Sequence, residues 1–324
     1  MKKKRTILFY TYYGNHYGTG HLYRDVQLGN VFSGFFKIFY SIRGSQPVSK
    51  IFPHGSAIVS SNFREALQKT KPDLVIYDQP YDLGSLPKFF YSKPLTILGL
   101  DYFFYRDIRF RAIINLVNKY QKGKITIPHV YEGLDYAIIR PAIRKLSTTP
   151  VKKSVQSLLV AFGGADISNH TGRVLEALSL LKGNFHITVV LGPLFSKKRD
   201  IESLSRASPH TVTIKYGPIE LAPFLGSADV AIGGSGATLM EALSLGKPCV
   251  TVPQSTQEYD FLRDSKLNHC ALVLGRTWTK KRIAGALQNF FTDYAKRKQY
   301  ASMGKKRIDG KGIERIQKII SHLI

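Results

Sequence analysis

Short apolar runs alternate with segments of helical periodicity along the first 140 residues. The apolar runs predict strands at Ile7–Tyr12, Phe35–Ile42, Asp73–Tyr77, Leu95–Gly99 and Asp135–Ile139. The pattern after the first run predicts a helix at Leu22–Leu28. Strands that alternate with helices in this way are typical of a parallel sheet with helices on both faces.

The same alternation returns after residue 155. Helices are expected at Asn169–Leu181, Ala237–Leu245, Gln257–Leu267, Thr279–Thr292 and Gly312–Leu323, with strands at Ser157–Phe162, His186–Leu191, Val212–Lys215, Asp229–Ile232 and Pro248–Val252. The segment Arg140–Val155 is polar, basic and contains prolines, as interdomain linkers do. We therefore predict an α/β protein with two Rossmann-like domains, 1–145 and 155–324, facing each other across a cleft.

Composition sets the class of protein. With 324 residues, 44% of them hydrophobic, the chain is long enough for two globular cores. No apolar run approaches the roughly 18 residues of a transmembrane helix, and the apolar run Thr6–Thr11 after the basic N-terminus reads as a strand rather than a signal peptide. Cys249 and Cys270 cannot form a disulfide framework. We expect a cytoplasmic protein without a cofactor.

The formal net charge of +25 is spread over both halves of the chain. Such a charge attracts a polyanion, an anionic membrane surface or an anionic substrate. The aromatic and basic segments 35–43 and 102–111 fit either peripheral contact with anionic lipid at the inner face of the cell membrane or strand cores flanked by solvated charge. The basic runs 296–298 and 305–307 predict a solvated helix face. A nucleic-acid-binding protein is an alternative of another class, although no RRM, KH or zinc-finger pattern is present.

The most informative stretch is Gly233-Gly234-Ser235-Gly236-Ala237-Thr238, between a predicted strand and a predicted helix. Its small residues leave backbone N–H groups uncovered at a helix N-terminus, which favours an anion such as a diphosphate. A tight turn with no ligand is the alternative. The stretch lacks the Gly-Lys-[Ser/Thr] of a Walker A loop and the third glycine of the dinucleotide fingerprint. It resembles the donor-nucleotide loop of GT-B glycosyltransferases, and this resemblance makes Glu241 the candidate for a ribose contact, with compensation of the helix dipole as the alternative.

A second site is predicted at Gly18-Thr19-Gly20-His21, after the first strand. His21 is expected to stay neutral and to accept a proton near pH 7, because the N-terminus of a helix disfavours imidazolium. Arg24 lies on the same predicted helix face and suits a phosphate or a carboxylate, and Asp25 is a candidate to orient the imidazole ring. The alternative is a capping histidine beside a solvated arginine.

Two predicted strands end near acidic residues, Asp78 and Asp101. Active sites of open α/β sheets lie beyond the carboxyl ends of the strands. We therefore expect both residues, together with Tyr81, to contribute to substrate binding.

A diglycine, Gly163-Gly164, follows the first strand of the second half. It allows close approach of a substrate or of the facing domain, and Asp166 or Asn169 is expected to cap the helix that follows. No Asp-x-Asp, Cys-x-x-Cys, His-Glu-x-x-His or Gly-x-Ser-x-Gly sequence occurs. The sequence therefore predicts no metal site and no nucleophile elbow.

Five segments together resemble a known family. They are Gly18–Arg24, Tyr136–Arg140, Phe162–Thr171, Gly233–Glu241 and Asp309–Gly312. In this order they resemble the UDP-sugar hydrolase of pseudaminic acid synthesis and the related spore-coat polysaccharide (SpsG-like) proteins. These proteins are in turn similar to the GT-B transferase MurG.

The resemblance implies a role for each site. It makes His21 the group that activates the attacking nucleophile, places the diphosphate on residues 234–238 and assigns Glu241 to the nucleotide. The chain also departs from the pattern. The hydrolase family tends to have Asp-His-Tyr-Gly after its third strand, whereas this chain has Asp78-Gln79-Pro80-Tyr81, and its second strand-end acid pair is Asp101-Tyr102 here.

The expected function is metal-independent transfer of a sugar from a UDP-sugar to an acceptor hydroxyl, with a glycan or a lipid-linked molecule as acceptor. Hydrolysis of the UDP-sugar, with water as acceptor, is the alternative within the same chemistry. A third hypothesis is a scaffold that binds a sugar nucleotide without turnover. The positive charge favours transfer, because an anionic glycan or an acceptor at the membrane would explain it.

Overall fold

The computed structural model describes residues 4–14, 18–44, 57–58, 60–80, 95–101, 109–117, 126–217 and 220–324. The chain forms two compact units. Unit 1 contains residues 1–138 and 311–324, and unit 2 contains residues 139–310.

Unit 1 is built on a parallel sheet. Its described strands are β1 (Thr6–Tyr13), β2 (Lys37–Gly44), β3 (Ala57–Ile58), β4 (Leu74–Asp78), β5 (Ile97–Leu100), β6 (Ala112–Asn115) and β7 (His129–Glu132). They lie in the order β3-β2-β1-β4-β5-β6-β7. All five residues of β4 are buried, as expected for an apolar strand covered on both faces.

Unit 2 repeats this architecture. Its described strands are β8 (Ser157–Ala161), β9 (His186–Leu191), β10 (Thr211–Tyr216), β11 (Val230–Gly233), β12 (Cys249–Thr251) and β13 (Leu272–Val273). They are parallel and lie in the order β10-β9-β8-β11-β12-β13. The prediction of an α/β chain with two Rossmann-like parts is therefore confirmed.

Helices follow most of the strands. The described helices are α1 (Gly20–Phe32), α2 (Phe63–Thr70), α3 (Pro141–Arg144), α4 (His170–Leu178), α5 (Lys198–Ala207), α6 (Ala222–Ser227), α7 (Ala237–Ser244), α8 (Thr256–Asp264), α9 (Lys280–Thr292), α10 (Tyr294–Arg307) and α11 (Gly312–Leu323). None of these helices is both long and apolar enough to cross a membrane. The two cysteines, Cys249 and Cys270, are free and buried.

The strand order reverses once in each sheet. In unit 1 the chain moves outward from β1 through β2 to β3 and then returns to the other side of β1 with β4. In unit 2 the same reversal separates β8 from β11. Ligands of open α/β sheets bind beyond the carboxyl ends of the strands at such a point. The predicted site at His21 follows β1, and the predicted diphosphate loop follows β11.

The compact units differ from the predicted ranges 1–145 and 155–324 at two places. The predicted linker Arg140–Val155 belongs to unit 2, where the buried side chain of Arg297 donates to the carbonyl oxygens of Lys152 and Lys153. Helix α11 belongs to unit 1. It begins so close to residue 137 that a Cβ on Gly312 would lie 2.2 Å from the Ala137 carbonyl oxygen.

Two local predictions are wrong. The apolar segment Asp135–Ile139 is not a strand, because Leu134–Tyr136 form a 3-10 helix against α11, where Arg315 donates to the Asp135 carbonyl oxygen at 2.9 Å. The basic run 296–298 is not wholly solvated, because Arg297 is fully buried. The segment 102–108 lies outside the described residues.

Candidate functional site

His21 is held at the N-terminus of α1 by a buried carboxylate. Helix α1 begins at Gly20, and Nδ1 of His21 lies 2.6 Å from Oδ1 of Asp78, the last residue of β4. Strands β1 and β4 are neighbours, so the chain folds the start of α1 onto the end of β4. The Asp78 side chain is fully buried, whereas the His21 side chain is 20% exposed.

Arg24 donates hydrogen bonds to Asp78 and to a second carboxylate, Asp101. Its Nε donates to Oδ2 of Asp78 at 2.5 Å, its Nη2 donates to Oδ1 of Asp78, and its Nη1 donates to Oδ2 of Asp101. One turn separates His21 from Arg24 on α1, so both side chains reach Asp78. The fork of Arg24 on Asp78 is the bidentate geometry that fixes a carboxylate most firmly.

The charges around Asp78 keep it ionised. Burial alone would raise the pKa of the Asp78 carboxyl, but Arg24 and His21 hold that pKa well below its ordinary value. An ionised Asp78 next to Nδ1 requires a proton on that nitrogen. The Nε2 atom of His21 is therefore the ring nitrogen that can accept a proton, which is the state required of a general base.

Asp25 does not orient the imidazole ring as expected. The structure gives that role to Asp78, which was predicted as a substrate-binding residue. Asp25 is fully buried, and neither carboxyl oxygen makes a hydrogen bond. Burial and the neighbouring charge of Asp78 raise the pKa of the Asp25 carboxyl well above its ordinary value. The carboxylate that contacts the ring of His21 is that of Asp78.

The remaining residues predicted for this site have different placements. Gly18 has a φ of +75° and its carbonyl accepts from the Gly14 N–H at 3.2 Å, which closes the loop before α1. Gly20 is the first residue of α1. Asp101 follows β5, has a φ of +50° and reaches Arg24. A positive φ in a non-glycine residue, such as that of Asp101, is found more often at functional sites than elsewhere. Tyr81 lies outside the described residues.

In unit 2, the predicted diphosphate loop connects β11 to α7. Gly234 and Ser235 are buried, whereas Gly236 and Ala237 are exposed and Thr238 is partly exposed. Gly236 caps α7 without a side-chain hydrogen bond. The N–H groups of Ala237 and Thr238 therefore have no intrahelical acceptor and lie where the helix dipole attracts an anion.

Glu258 fixes the buried part of this loop. Its Oε2 accepts hydrogen bonds from the N–H groups of Ser235 at 3.2 Å and Gln254 at 2.9 Å. Glu258 is not among the predicted site residues, although the spacing of Ser255 and Glu258 is that of a capping box. Ser255 does cap α8, and its Oγ accepts from the Glu258 N–H. The carboxylate reaches the glycine loop instead of the cap backbone.

Glu241 is not available for the expected contact with a ribose. Its side chain is 2% exposed. Oε1 accepts from Nε of Arg140 and Oε2 from Nη2 of Arg140, both at 2.6 Å. Arg140 also lies 3.2 Å from Glu220. A carboxylate that is bound by both prongs of a guanidinium and covered from solvent has no free edge for a hydroxyl.

The loop that contains Gly163 and Gly164 leads from β8 to α4, and side chains cap the N-terminus of that helix. Asp166 accepts from the N–H groups of His170 and Thr171, each at 2.8 Å, and Asn169 accepts from the Gly172 N–H at 3.2 Å. The predicted capping role of Asp166 and Asn169 is confirmed. Gly163 is exposed and Gly164 partly exposed. The capped N-terminus of α4 contrasts with that of α7, which leaves α7 as the better anion site.

Much of the second half of the chain matches a family model. Residues 158–316 match the Glycosyltransferase family 28 C-terminal domain. Among curated proteins, the uncharacterized protein MJ1062 of Methanocaldococcus jannaschii is 30% identical over 263 residues, which are 74% of this chain and 53% of that protein. The spore coat polysaccharide biosynthesis protein SpsG of Bacillus subtilis is 27% identical over 234 residues, which are 68% of this chain and 63% of that protein. The chain thus spans between 53% and 63% of the length of these relatives. The predicted resemblance to SpsG-like proteins is confirmed.

Several solved structures of similar fold are those of glycosyltransferases. MurG of Acinetobacter baumannii aligns with a TM-score of 0.61 at 13% identity, covering 99% of this chain and all of that one. CalG4, the calicheamicin glycosyltransferase, aligns with a TM-score of 0.63 at 14% identity, covering 100% of this chain and 98% of that one. These similarities confirm the predicted GT-B fold class.

Proposed function

We propose that this chain, whose residues 158–316 match a glycosyltransferase family 28 C-terminal domain, transfers a sugar from a UDP-sugar to an acceptor hydroxyl. The observation that carries the proposal is the pair formed by His21 and the buried Asp78. This pair gives the protein an oriented base, and the uncapped N-terminus of α7 gives it an anion site.

Unit 1 supplies the base. The acceptor O–H loses its proton to Nε2 of His21 as the acceptor oxygen forms a bond to the anomeric carbon. The bond from that carbon to the diphosphate oxygen breaks in the same process, and the electron pair leaves with UDP. Asp78 stabilises the imidazolium that forms, because its carboxylate accepts from Nδ1. Arg24 keeps that carboxylate in place.

Unit 2 supplies the diphosphate site. The exposed N–H groups of Ala237 and Thr238, at the positive end of the α7 dipole, take the phosphate oxygens. They neutralise part of the charge that develops on departing UDP, which lowers the barrier without a metal ion. Glu258 holds Ser235 so that the loop keeps this shape before the ligand arrives.

The acceptor is proposed to be a glycan or a lipid-linked molecule, and the net charge of +25 supports an anionic acceptor or peripheral contact with an anionic membrane surface. Water is the competing acceptor. The motifs that resemble a UDP-sugar hydrolase favour it, and the chemistry at His21 would be the same.

The test is UDP release from a panel of UDP-sugars, with and without candidate acceptors. If the protein is a transferase, UDP release should be slow without an acceptor and fast with the right acceptor, and the sugar should be found attached to that acceptor. Release of free sugar at the full rate without any acceptor would establish hydrolysis instead. No UDP release under any condition, together with calorimetric binding, would leave a sugar-nucleotide-binding scaffold.

A further inference from the structure

Gln79 is a buried amide that the protein itself does not use. It follows Asp78 directly at the carboxyl end of β4, and its side chain is 3% exposed. Neither Oε1 nor Nε2 of Gln79 makes a hydrogen bond in the structure as described. A polar group that loses water on folding and gains no partner makes the folded protein less stable than an apolar group of the same shape would.

The carboxylate of Asp78, the residue before Gln79, is already bound by other side chains. Both oxygens of Asp78 are bound by His21 and Arg24. Gln79 is the first residue after the end of β4. It lies at the carboxyl edge of the sheet and next to the reversal of strand order, where ligands of open α/β sheets bind.

An amide offers two donors and one acceptor without a net charge. It is therefore suited to a neutral group that both donates and accepts, such as a hydroxyl or an acetamido group of a sugar. It is poorly suited to a phosphate, which would use only the donors. Sites that contain a buried polar group reject ligands that leave it unpaired, so such a group sets specificity.

We propose that Gln79 is a specificity-determining residue that hydrogen-bonds a hydroxyl or acetamido substituent of the sugar being transferred. This inference rests on the proposed function, because it takes the ligand to be the sugar of the donor. It differs from the role of His21, which acts on the acceptor. Gln79 selects the sugar and takes no part in proton transfer.

The test compares Gln79→Leu with Gln68→Leu, a matched change at an exposed position of α2 in the same unit. Thermal unfolding without ligand and kcat/KM with UDP-N-acetylglucosamine and UDP-glucose are measured for both. These donors differ only in the acetamido or hydroxyl group at one carbon. Gln79→Leu should raise Tm, lower kcat/KM at least tenfold for the preferred donor and change the ratio between the two donors. Gln68→Leu should leave kcat/KM and the ratio unchanged.

The outcomes separate the two proposals. If the wild-type protein turns over a UDP-sugar while Gln79→Leu retains both its kcat/KM values and their ratio, the specificity role is wrong and the proposed function stands. A lowered Tm in Gln79→Leu with an unchanged donor ratio would also overturn it, since the amide would then be a structural residue. If the wild-type protein turns over no UDP-sugar, the proposed function fails and this inference with it.

Discussion

Oδ1 of Asp78 accepts a hydrogen bond from Nδ1 of His21 at 2.6 Å, although 57 positions of sequence separate the two residues. The carboxylate is fully buried and the ring is partly exposed. One nitrogen of the imidazole is therefore fixed inside the protein, and the other is left for a reactant. This relationship makes His21 a base with a defined tautomer.

Replacing Asp78 with Asn should abolish most of the activity. An Asn side chain can donate to Nδ1, which would move the ring proton to Nε2 and leave no acceptor for the incoming hydroxyl. We expect kcat to fall by about 10²–10⁴ with little change in the affinity for UDP. Asp101→Asn is the control, because Asp101 contacts Arg24 and not His21. Its effect on kcat should be smaller, and equal losses in the two variants would argue against the tautomer explanation.

Replacing Gly236 with Asp should stabilise the protein slightly and weaken its binding of UDP. Gly236 caps α7 with a negative φ, and a Cβ there would meet nothing within 4 Å. An Asp at this N-cap would accept from the first turn and stabilise the protein by a few tenths of a kcal/mol relative to Gly. The same carboxylate would repel a diphosphate, and we expect UDP binding measured by calorimetry to weaken at least about tenfold. Gly236→Ala adds no charge and no hydrogen-bond acceptor, so it should leave UDP binding unchanged without stabilising the protein. A Gly236→Asp protein that binds UDP normally would remove α7 from the proposal.

Arg297→Met should destabilise the protein more than Lys298→Met. Arg297 is fully buried and donates to the Lys152 and Lys153 carbonyl oxygens at 2.7 and 2.6 Å. Its loss removes two hydrogen bonds from a charged donor to these carbonyl groups. The loss is offset in part because the charge of Arg297 is no longer buried. We expect urea unfolding to show a loss of about 1–3 kcal/mol. Lys298→Met, a change at an exposed position, should lower the free energy of unfolding by less than about 0.5 kcal/mol. Similar losses in the two variants would show that the hydrogen bonds of Arg297 are unimportant for stability.

His170 should make stability depend on pH. Burial first, and then the charges of Arg173 and Arg276, lower the pKa of His170 to about 4. The unfolded chain binds a proton near its ordinary pKa and the folded chain does not, so the free energy of unfolding falls as the pH drops below about 6.5 and stops falling below about 4. Between pH 7 and pH 5 this amounts to about 1–2 kcal/mol. Between pH 7 and pH 5, the free energy of unfolding of His170→Phe, measured by urea denaturation, should fall by about 1–2 kcal/mol less than that of the wild type. An equal fall in both proteins would contradict the assignment.

The sequence was sufficient for much of the fold. Buried parallel strands such as β4 and β11 consist of short apolar runs, and the glycines after β11 mark the turn into α7. The run Asp135–Ile139 was misread because apolarity alone cannot separate a strand from a buried turn. There the packing of α11 decided the conformation.

The pairing of charged side chains could not be read from the sequence. Asp78, Asp25 and Glu241 each looked like an acid near a predicted site. Only the tertiary structure shows that Asp78 holds His21, that Asp25 is buried without a hydrogen bond and that Glu241 is bound by Arg140. The partners are 57 and 101 residues apart in the two pairs, so no local pattern records them.

The central claim is that His21 removes the acceptor proton while unit 2 holds the nucleotide. The most direct measurement compares wild type with His21→Ala for UDP release from the best UDP-sugar and acceptor, alongside calorimetric affinity for UDP. We predict that UDP release slows by about 10²–10⁴ while the Kd for UDP stays within about threefold. A His21→Ala protein that releases UDP at a rate within tenfold of wild type would contradict the claim.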